Sequence, residues 1–260
     1  VQEYDADCPA PNTNRVYISY VDSARYLASD SPGARTAVYH AVLNGYLQHA
    51  AARGFEHAHI WVAPPEEQFT EYIFHCRPSD GRPPMSADVL RRWYEKMLSR
   101  AQELGFVSEV ESLQRHVEHL TSVRDFPLFD GDFFPDRLPE VIEKVKSAPP
   151  PAAAATGKKM KGGGAKVAKL ARSETLCLAD QMKLEVSGAK WSFLVATLEA
   201  AEHPEITPRE THIGSHELLD SRMHFLELSQ SRHWQFDELR RAHWSTMMLL
   251  AVLGGTPEPE

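Results

Sequence analysis

Thirteen histidines and three cysteines mark where metal or thiol chemistry could reside in this 260-residue chain. The densest set is His57 and His59, one residue apart, with His75 and Cys76 further along. Histidines that alternate along a strand more often reflect packing than coordination, and the tight ligand clusters of a zinc site are missing, so no metal is expected. Cys8, Cys76 and Cys177 are odd in number and widely spaced, and none belongs to a C-x-x-C pair. Neither a disulfide framework nor a cysteine zinc site is expected, and a reducing compartment is the simpler reading. Gly162, Gly163 and Gly164 do not link a strand to a helix start, so they are no phosphate-cradling loop. Arg35-Thr36 opens a helical pattern, where an arginine beside free helical N–H groups suits a phosphate, although an arginine before a helix is commonplace.

Charge is distributed unevenly. The formal net charge is -8, yet residues 145–173 contain no acidic residue and carry Lys146, Lys158, Lys159, Lys161, Lys166, Lys169 and Arg172. Taking those seven from the 28 Lys and Arg leaves 21 basic against 36 acidic residues, a balance of -15 on the rest of the chain. An acidic body disfavours nucleic acid as the main partner and favours basic ligands, because long-range potential steers opposite charge. A solvated acidic surface kept for solubility would give the same totals. No apolar run approaches the roughly 18 residues that cross a bilayer, and the first residues lack a basic-then-apolar signal pattern, so neither membrane nor secretion is expected.

Residues 15–22 alternate with β-branched and aromatic enrichment and read as a strand with both faces at least partly buried. Tyr39, Val42, Leu43, Tyr46, Leu47 and Ala50 follow a helical period that Gly54 stops. Residues 58–63 and 72–76 read as strands, the first ended by Pro64-Pro65. Ser86 can cap a helix carrying Leu90, Trp93, Tyr94, Met97, Leu98 and Ala101 on one face, with Gly105 as its stop. A shorter helix is expected over 110–120, then an acidic aromatic turn at 129–135 and another helix over about 138–146. Beyond residue 172 the pattern predicts a helix opened by Ser173, a strand over 191–198, and two helices starting near Asp220 and Asp237. The last has a strongly apolar end that requires a core. Pro149-Pro150-Pro151, an alanine run and the three glycines cannot bury enough apolar area to offset ordering entropy, so 148–172 is expected to be a disordered loop. This pattern describes one α/β domain over 1–260, with an N-terminal part (1–147), a basic loop (148–172) and a C-terminal part (173–253) completing the core.

Seven segments, in order, resemble the catalytic domain of the CREB-binding-protein family of histone acetyltransferases, which includes plant and algal members. They are RVYISYVDS at 15–23, RTAVYH at 35–40, HIW at 59–61, YIFHC at 72–76, WYEKML at 93–98, GDFFP at 131–135 and LRRAHWSTM at 239–247. The similarity runs over nearly the whole chain, including a basic loop between its halves. It implies a central mixed sheet surrounded by helices, related in plan to other acetyl-CoA transferases but without their usual pyrophosphate motif, which this chain also lacks. It further implies acetyl-CoA as cofactor, histone tails and other basic proteins as substrates, transcription factors as possible partners, and the nucleus as location.

Acetyl transfer to lysine needs a neutral amine, against a reference pKa of about 10.4, and a stabilised leaving thiolate. Tyr94 occupies the family's catalytic tyrosine position, which makes it the general acid; periodicity alone would assign it to the core. Trp61 resembles the tryptophan that shapes the lysine tunnel and packs near that tyrosine, and Tyr72 resembles another tunnel wall; a strand-end core aromatic is the plain alternative for Trp61. Ser19, Tyr20, Asp130, Asp132, Glu217 and Asp220 fall where the family's polar or acidic substrate surface lies, though each carboxylate singly could be merely solvated. Val21, Asp22, Ser23, Arg35, Thr36, Pro84, Val89 and Trp93 match cofactor-contact positions. Val89 stands where the family usually has a basic phosphate ligand, so that anchor is lost unless Arg82, Arg91 or Arg92 substitutes. Ala63 and Met223 also depart from the family, replacing a cysteine and an acidic residue. The loop lysines Lys158, Lys159, Lys161, Lys166 and Lys169 match a segment that is self-acetylated in the family and competes with substrate; an inert linker or import-type basic patch is the alternative. A weak CoA-binding scaffold and an acidic binding module for basic tails are the rival readings of the whole.

Overall fold

In a computed structural model of the chain, the described residues are 1–19, 21, 33–64, 85–147, 177–189, 192–200, 218, 222–236 and 238–254. Among the described residues, five strands form one mixed sheet: β1 (Gln2–Tyr4), β2 (Arg15–Ile18), β3 (His57–Val62), β4 (Val107–Ser112) and β5 (Ser192–Leu198), in spatial order β1-β2-β3-β5-β4. β2 and β3 run parallel, Arg15 opposite His57 and Ile18 opposite Ile60, while the other pairs are antiparallel. The α/β class and the mixed sheet are as the sequence predicts.

The parallel pair requires a crossover, supplied by helix α1 (Ala34–Ala52). Gly54, at φ 90°, turns the chain, and Phe55 N donates to the Ala50 carbonyl, which ties the carboxyl end of α1 to the start of β3. A helix of 19 residues is about 28 Å long, so its amino end lies at the carboxyl ends of β2 and β3. Helix α2 (Ala87–Glu103) starts at Ser86, whose Oγ accepts from Val89 N as an N-cap, and ends before Gly105 at φ 82°.

Alternation along the strands sends side chains into two cores. Val16, Ile18, Ala58, Ile60, Val62, Leu194 and Ala196 pack with Leu43 and Leu47 of α1 and Tyr94, Met97 and Leu98 of α2. On the opposite face, Tyr17, Phe193 and Val195 pack with α3 (Leu113–His116), α4 (Phe133–Ser147) and α5 (Leu178–Gly188). The expectation that 15–22 is buried on both faces therefore holds for β2. The two helices α4 and α5 are tied by Glu185, which takes Lys144 Nζ at 2.8 Å and Arg137 Nη2 at 3.1 Å.

Several boundaries differ from expectation. The helix expected over 110–120 is instead strand β4, which runs through Ser112, followed by the single turn α3. Its sequence, VSEVES, alternates weakly and is interrupted by a register shift between Val107 and Glu109, which hides the two-residue period. Helix α4 begins at Phe133 rather than near 138, with Asp132 Oδ1 accepting from Phe133 N at 2.7 Å at its start, Pro135 in its first turn and Pro139 inside it. Helix α5 starts at Leu178 after Cys177, later than the expected opening at Ser173, which lies outside the described residues with the 148–172 loop and the 72–76 strand.

The last two helices, α6 (Arg222–Ser231) and α7 (Leu239–Leu253), build a third cluster with Trp234 and Phe236. Only part of α7's apolar surface enters it: Ala242 and Met248 are buried, whereas Trp244, Met247 and Leu250 remain exposed.

Candidate active site

Carboxyl ends of parallel strands are where α/β folds gather ligand sites, and the chain brings its candidate residues to that end. Ser19 follows β2 directly, Val21 packs against the first core, and Trp61 is the penultimate residue of β3. Arg35 and Thr36 lie in the first turn of α1. Gly33 precedes that turn in a left-handed conformation, no side chain caps it, and no acidic residue lies in it. Among the described residues no side chain is bonded to its leading N–H groups, the kind of helix end that suits an anion, and Arg35 in this turn is exposed.

Tyr94 lies level with the first half of α1. The two helices advance in step: the His40 ring meets Trp93 edge-on at 4.5 Å, and one turn later Asn44 Nδ2 donates to the Met97 carbonyl at 3.2 Å. Trp93 in turn stands perpendicular to Tyr94, centroids 5.0 Å apart. Tyr94 is 5% exposed. An aromatic wall thus runs from α1 through Trp93 to the phenol. Burial, and secondarily the charge on Lys96, holds the His40 imidazole below its ordinary pKa, while the adjacent Trp93 backbone opposes the shift.

Trp61 belongs to the other core. It is partly buried against the Tyr17, Phe134 and Phe193 cluster, since His57, His59 and Trp61 share one face of β3 and Ile60 and Val62 share the face toward Tyr94. The two aromatics flank β3 from opposite faces rather than sharing one cluster. Tyr20, Asp22, Ser23, Tyr72, Pro84, Arg82, Glu217, Asp220, Lys158, Lys159, Lys161, Lys166 and Lys169 lie outside the described residues.

The two carboxylates of the 129–135 turn divide in role. Asp130 is exposed. Asp132 is 7% exposed, and its Oδ1 accepts from Phe133 N at the start of α4 and from the Tyr17 hydroxyl at 3.3 Å, so that oxygen is engaged within the fold rather than displayed on a groove. Burial pushes its pKa up to about 6, against the opposing bonds from Phe133 N and Tyr17. Because the raised pKa means that the ionised form is disfavoured in the folded state, Asp132→Asn is expected to leave stability at pH 7 unchanged or raise it by about 1 kcal/mol. Urea unfolding checks this; a loss of 2 kcal/mol or more would show that the ionised carboxylate is required.

Val89, at the position of the missing anchor, is 42% exposed, and its backbone N–H serves the Ser86 cap. Arg91 is bound to Glu95 at 2.8 Å, whereas Arg92 is exposed on the same helix. Sequence reasoning passed over His40: it sits inside the RTAVYH segment, but only the packing of α1 on α2 reveals its contact with Trp93.

A profile described as histone acetyltransferase domain KAT3 matches residues 1–168. The chain belongs to the KAT3 histone acetyltransferase domain family. It is 33% identical to protein cbp-1 of Caenorhabditis elegans over 98% of this chain, and 31% identical to a probable histone acetyltransferase, HAC-like 2, of Oryza sativa subsp. japonica over its full length. Histone acetyltransferase HAC12 of Arabidopsis thaliana is 29% identical, again over all of the chain. The chain spans 14%, 23% and 20% of the lengths of these three relatives. KAT3 family membership thus agrees with the resemblance carried by the seven sequence segments.

Proposed function

We propose that residues 1–260 form one lysine acetyltransferase catalytic domain that uses acetyl-CoA to acetylate histone tails and other basic proteins, with Tyr94 as general acid. The observation that carries this reading is the perpendicular pair of partly buried Trp93 and buried Tyr94, set against the amino-terminal half of α1 through His40. When bound, acetyl-CoA supplies an activated thioester acyl group. The first turn of α1 with Arg35 and Thr36 would hold its phosphates, and Val21 and Trp93 would line its path, together with Asp22, Ser23 and Pro84. Tyr94 holds at Oη the proton that general-acid catalysis requires. The apolar surroundings of Tyr94 favour the neutral lysine amine, since low dielectric penalises an ammonium. With Trp61 and Tyr72 as tunnel walls, direct transfer needs no cysteine or serine nucleophile.

Ser19, Tyr20, Asp130, Glu217 and Asp220 make the substrate surface in this reading, and the acidic body gives it an affinity that falls as salt rises. Nuclear location and transcription-factor partners follow from the same reading. Transfer of label from radioactive acetyl-CoA to a histone-tail peptide tests it. Cofactor binding without transfer would favour a scaffold, the reading that Val89 supports; tail binding indifferent to CoA would favour an acidic binding module.

Regulation by the basic loop completes the proposal. Each acetylation at Lys158, Lys159, Lys161, Lys166 or Lys169 removes one positive charge and weakens the loop's hold on an acidic groove. Deleting 148–172 is expected to raise the initial rate severalfold and to abolish the activation produced by preincubation with acetyl-CoA. Equal initial rates with and without the loop before any preincubation, or an intact protein that preincubation with acetyl-CoA fails to activate, would rule out this regulation.

A further inference from the structure

Four buried side-chain polar atoms lack a hydrogen-bond partner among the described residues: Tyr39 Oη, His40 Nε2, Asn44 Oδ1 and Ser229 Oγ. Three of the four lie within six residues on α1, beside the uncapped helix start and the Trp93–Tyr94 pair. Leaving such a group unpaired costs about 1–3 kcal/mol, so the arrangement is uneconomical if this helix serves packing alone. At His40 the contrast is clearest. A phenylalanine would give Trp93 the same edge-on ring contact without a stranded nitrogen, losing only the ring's hydrogen bond to the Trp93 backbone, which Nε2 does not need to make. Asn44 differs, because its Nδ2 has a structural use in the bond to Met97.

We propose that His40 is a positioning residue of the acyl-donor site, whose ring fixes Trp93 and whose Nε2 completes its hydrogen bonding on the pantetheine arm of bound acyl-CoA. The pantetheine arm carries amide N–H groups, amide carbonyls and a hydroxyl, so it satisfies Nε2 in either tautomer of the neutral ring. Burial and Lys96 disfavour the charged ring, which keeps a bare or singly protonated nitrogen available at neutral pH. The bond from Asn44 to α2 holds the two helices in register, so that the ring meets Trp93 and not its neighbours. This inference rests on the reading of the site as one for acyl-CoA, and it assigns to α1 a second role beyond its phosphate-binding first turn.

The test compares His40→Phe, His40→Asn and His40→Gln by calorimetric titration with CoA, which requires no turnover, and by thermal melting with and without CoA. Gln places an amide group near the position of Nε2, whereas Asn reaches only that of Nδ1. His40→Phe, which also gives up the ring's bond to the Trp93 backbone, is expected to melt within a few degrees of the parental temperature without ligand, yet to bind CoA about tenfold more weakly, the loss that removal of one buried hydrogen bond produces. His40→Gln is expected to recover most of the affinity and His40→Asn little of it. Parental CoA affinity in His40→Phe overturns the proposal, as does recovery by Asn but not by Gln, or a drop in unliganded melting temperature that accounts for the whole effect. If the parental protein itself fails to bind CoA, the acyl-CoA reading falls and this inference with it. If parental protein binds and transfers while His40→Phe matches it, only the inference falls.

Discussion

Tyr94→Phe is expected to lower kcat for peptide acetylation by roughly 10²–10⁴ while leaving CoA affinity within about twofold, because positioned proton transfer is what the substitution removes. The phenyl ring retains the perpendicular contact with Trp93 and its place against Met97, Leu98 and Ile60 in the first core. Loss of the hydroxyl from a residue 5% exposed should cost no more than about 0.5–1.5 kcal/mol of stability. Tyr94→Ala is the poorer experiment. Truncating a buried aromatic costs about 3–5 kcal/mol and would displace Trp93, so lost activity could reflect lost fold. Single-turnover rates with saturating acetyl-CoA separate chemistry from binding. A Phe variant that acetylates at the parental rate would remove Tyr94 from the mechanism and leave Trp93 as part of the cofactor wall only.

The site was legible where local chemistry and helical or strand period agreed. Ser86, Gly54 and Gly105 punctuate α1 and α2 as the sequence predicts, and the apolar face of α2 is the face that enters the core. The seven ordered segments carry the family resemblance in the sequence itself, and the matched KAT3 profile agrees. What remained hidden depends on the third dimension. Asp132 reads as one of two similar carboxylates, and only the proximity of Tyr17, 115 residues earlier, shows that it is engaged within the fold. Trp61 packs with the second core and Tyr94 with the first, a division set by the parity of position 61 along β3 that the linear sequence does not display. Strand β4 escaped because charged and small residues occupy an edge strand whose period slips at Glu109. His40 escaped because its partner is on another helix, 53 positions away.

The histidines that first suggested a metal predict a different behaviour. His57 and His59 on β3 and His116 on α3 surround the half-buried guanidinium of Arg15, whose Nη1 lies 2.9 Å from His59 Nε2 and 3.4 Å from His116 Nε2. A guanidinium only donates, so both nitrogens must be acceptors and both rings neutral, and His116 Nδ1–H then donates to Glu111 at 2.8 Å. Burial, then the charge of Arg15, drives His57 down to about 4 and His59 well below its ordinary value; burial also lowers His116 against the pull of Glu111. The unfolded chain therefore binds protons at these sites that the folded chain refuses. Stability conferred by the neutral rings is fully present above about pH 6.5 and is lost as pH falls toward 4. His57 alone contributes about 1–2 kcal/mol of that loss after discounting for its partial exposure. Asp132 has the opposite sign: its raised pKa makes the folded state the better proton binder between about 4 and 6, which stabilises it on acidification. One carboxyl set against three imidazoles does not reverse the slope. The urea midpoint is therefore expected to fall steadily from pH 7 to pH 4.5, and His57→Gln is expected to flatten part of that fall. A midpoint independent of pH over this range would mean that the imidazoles protonate without cost, and that Arg15 moves away from them when they do.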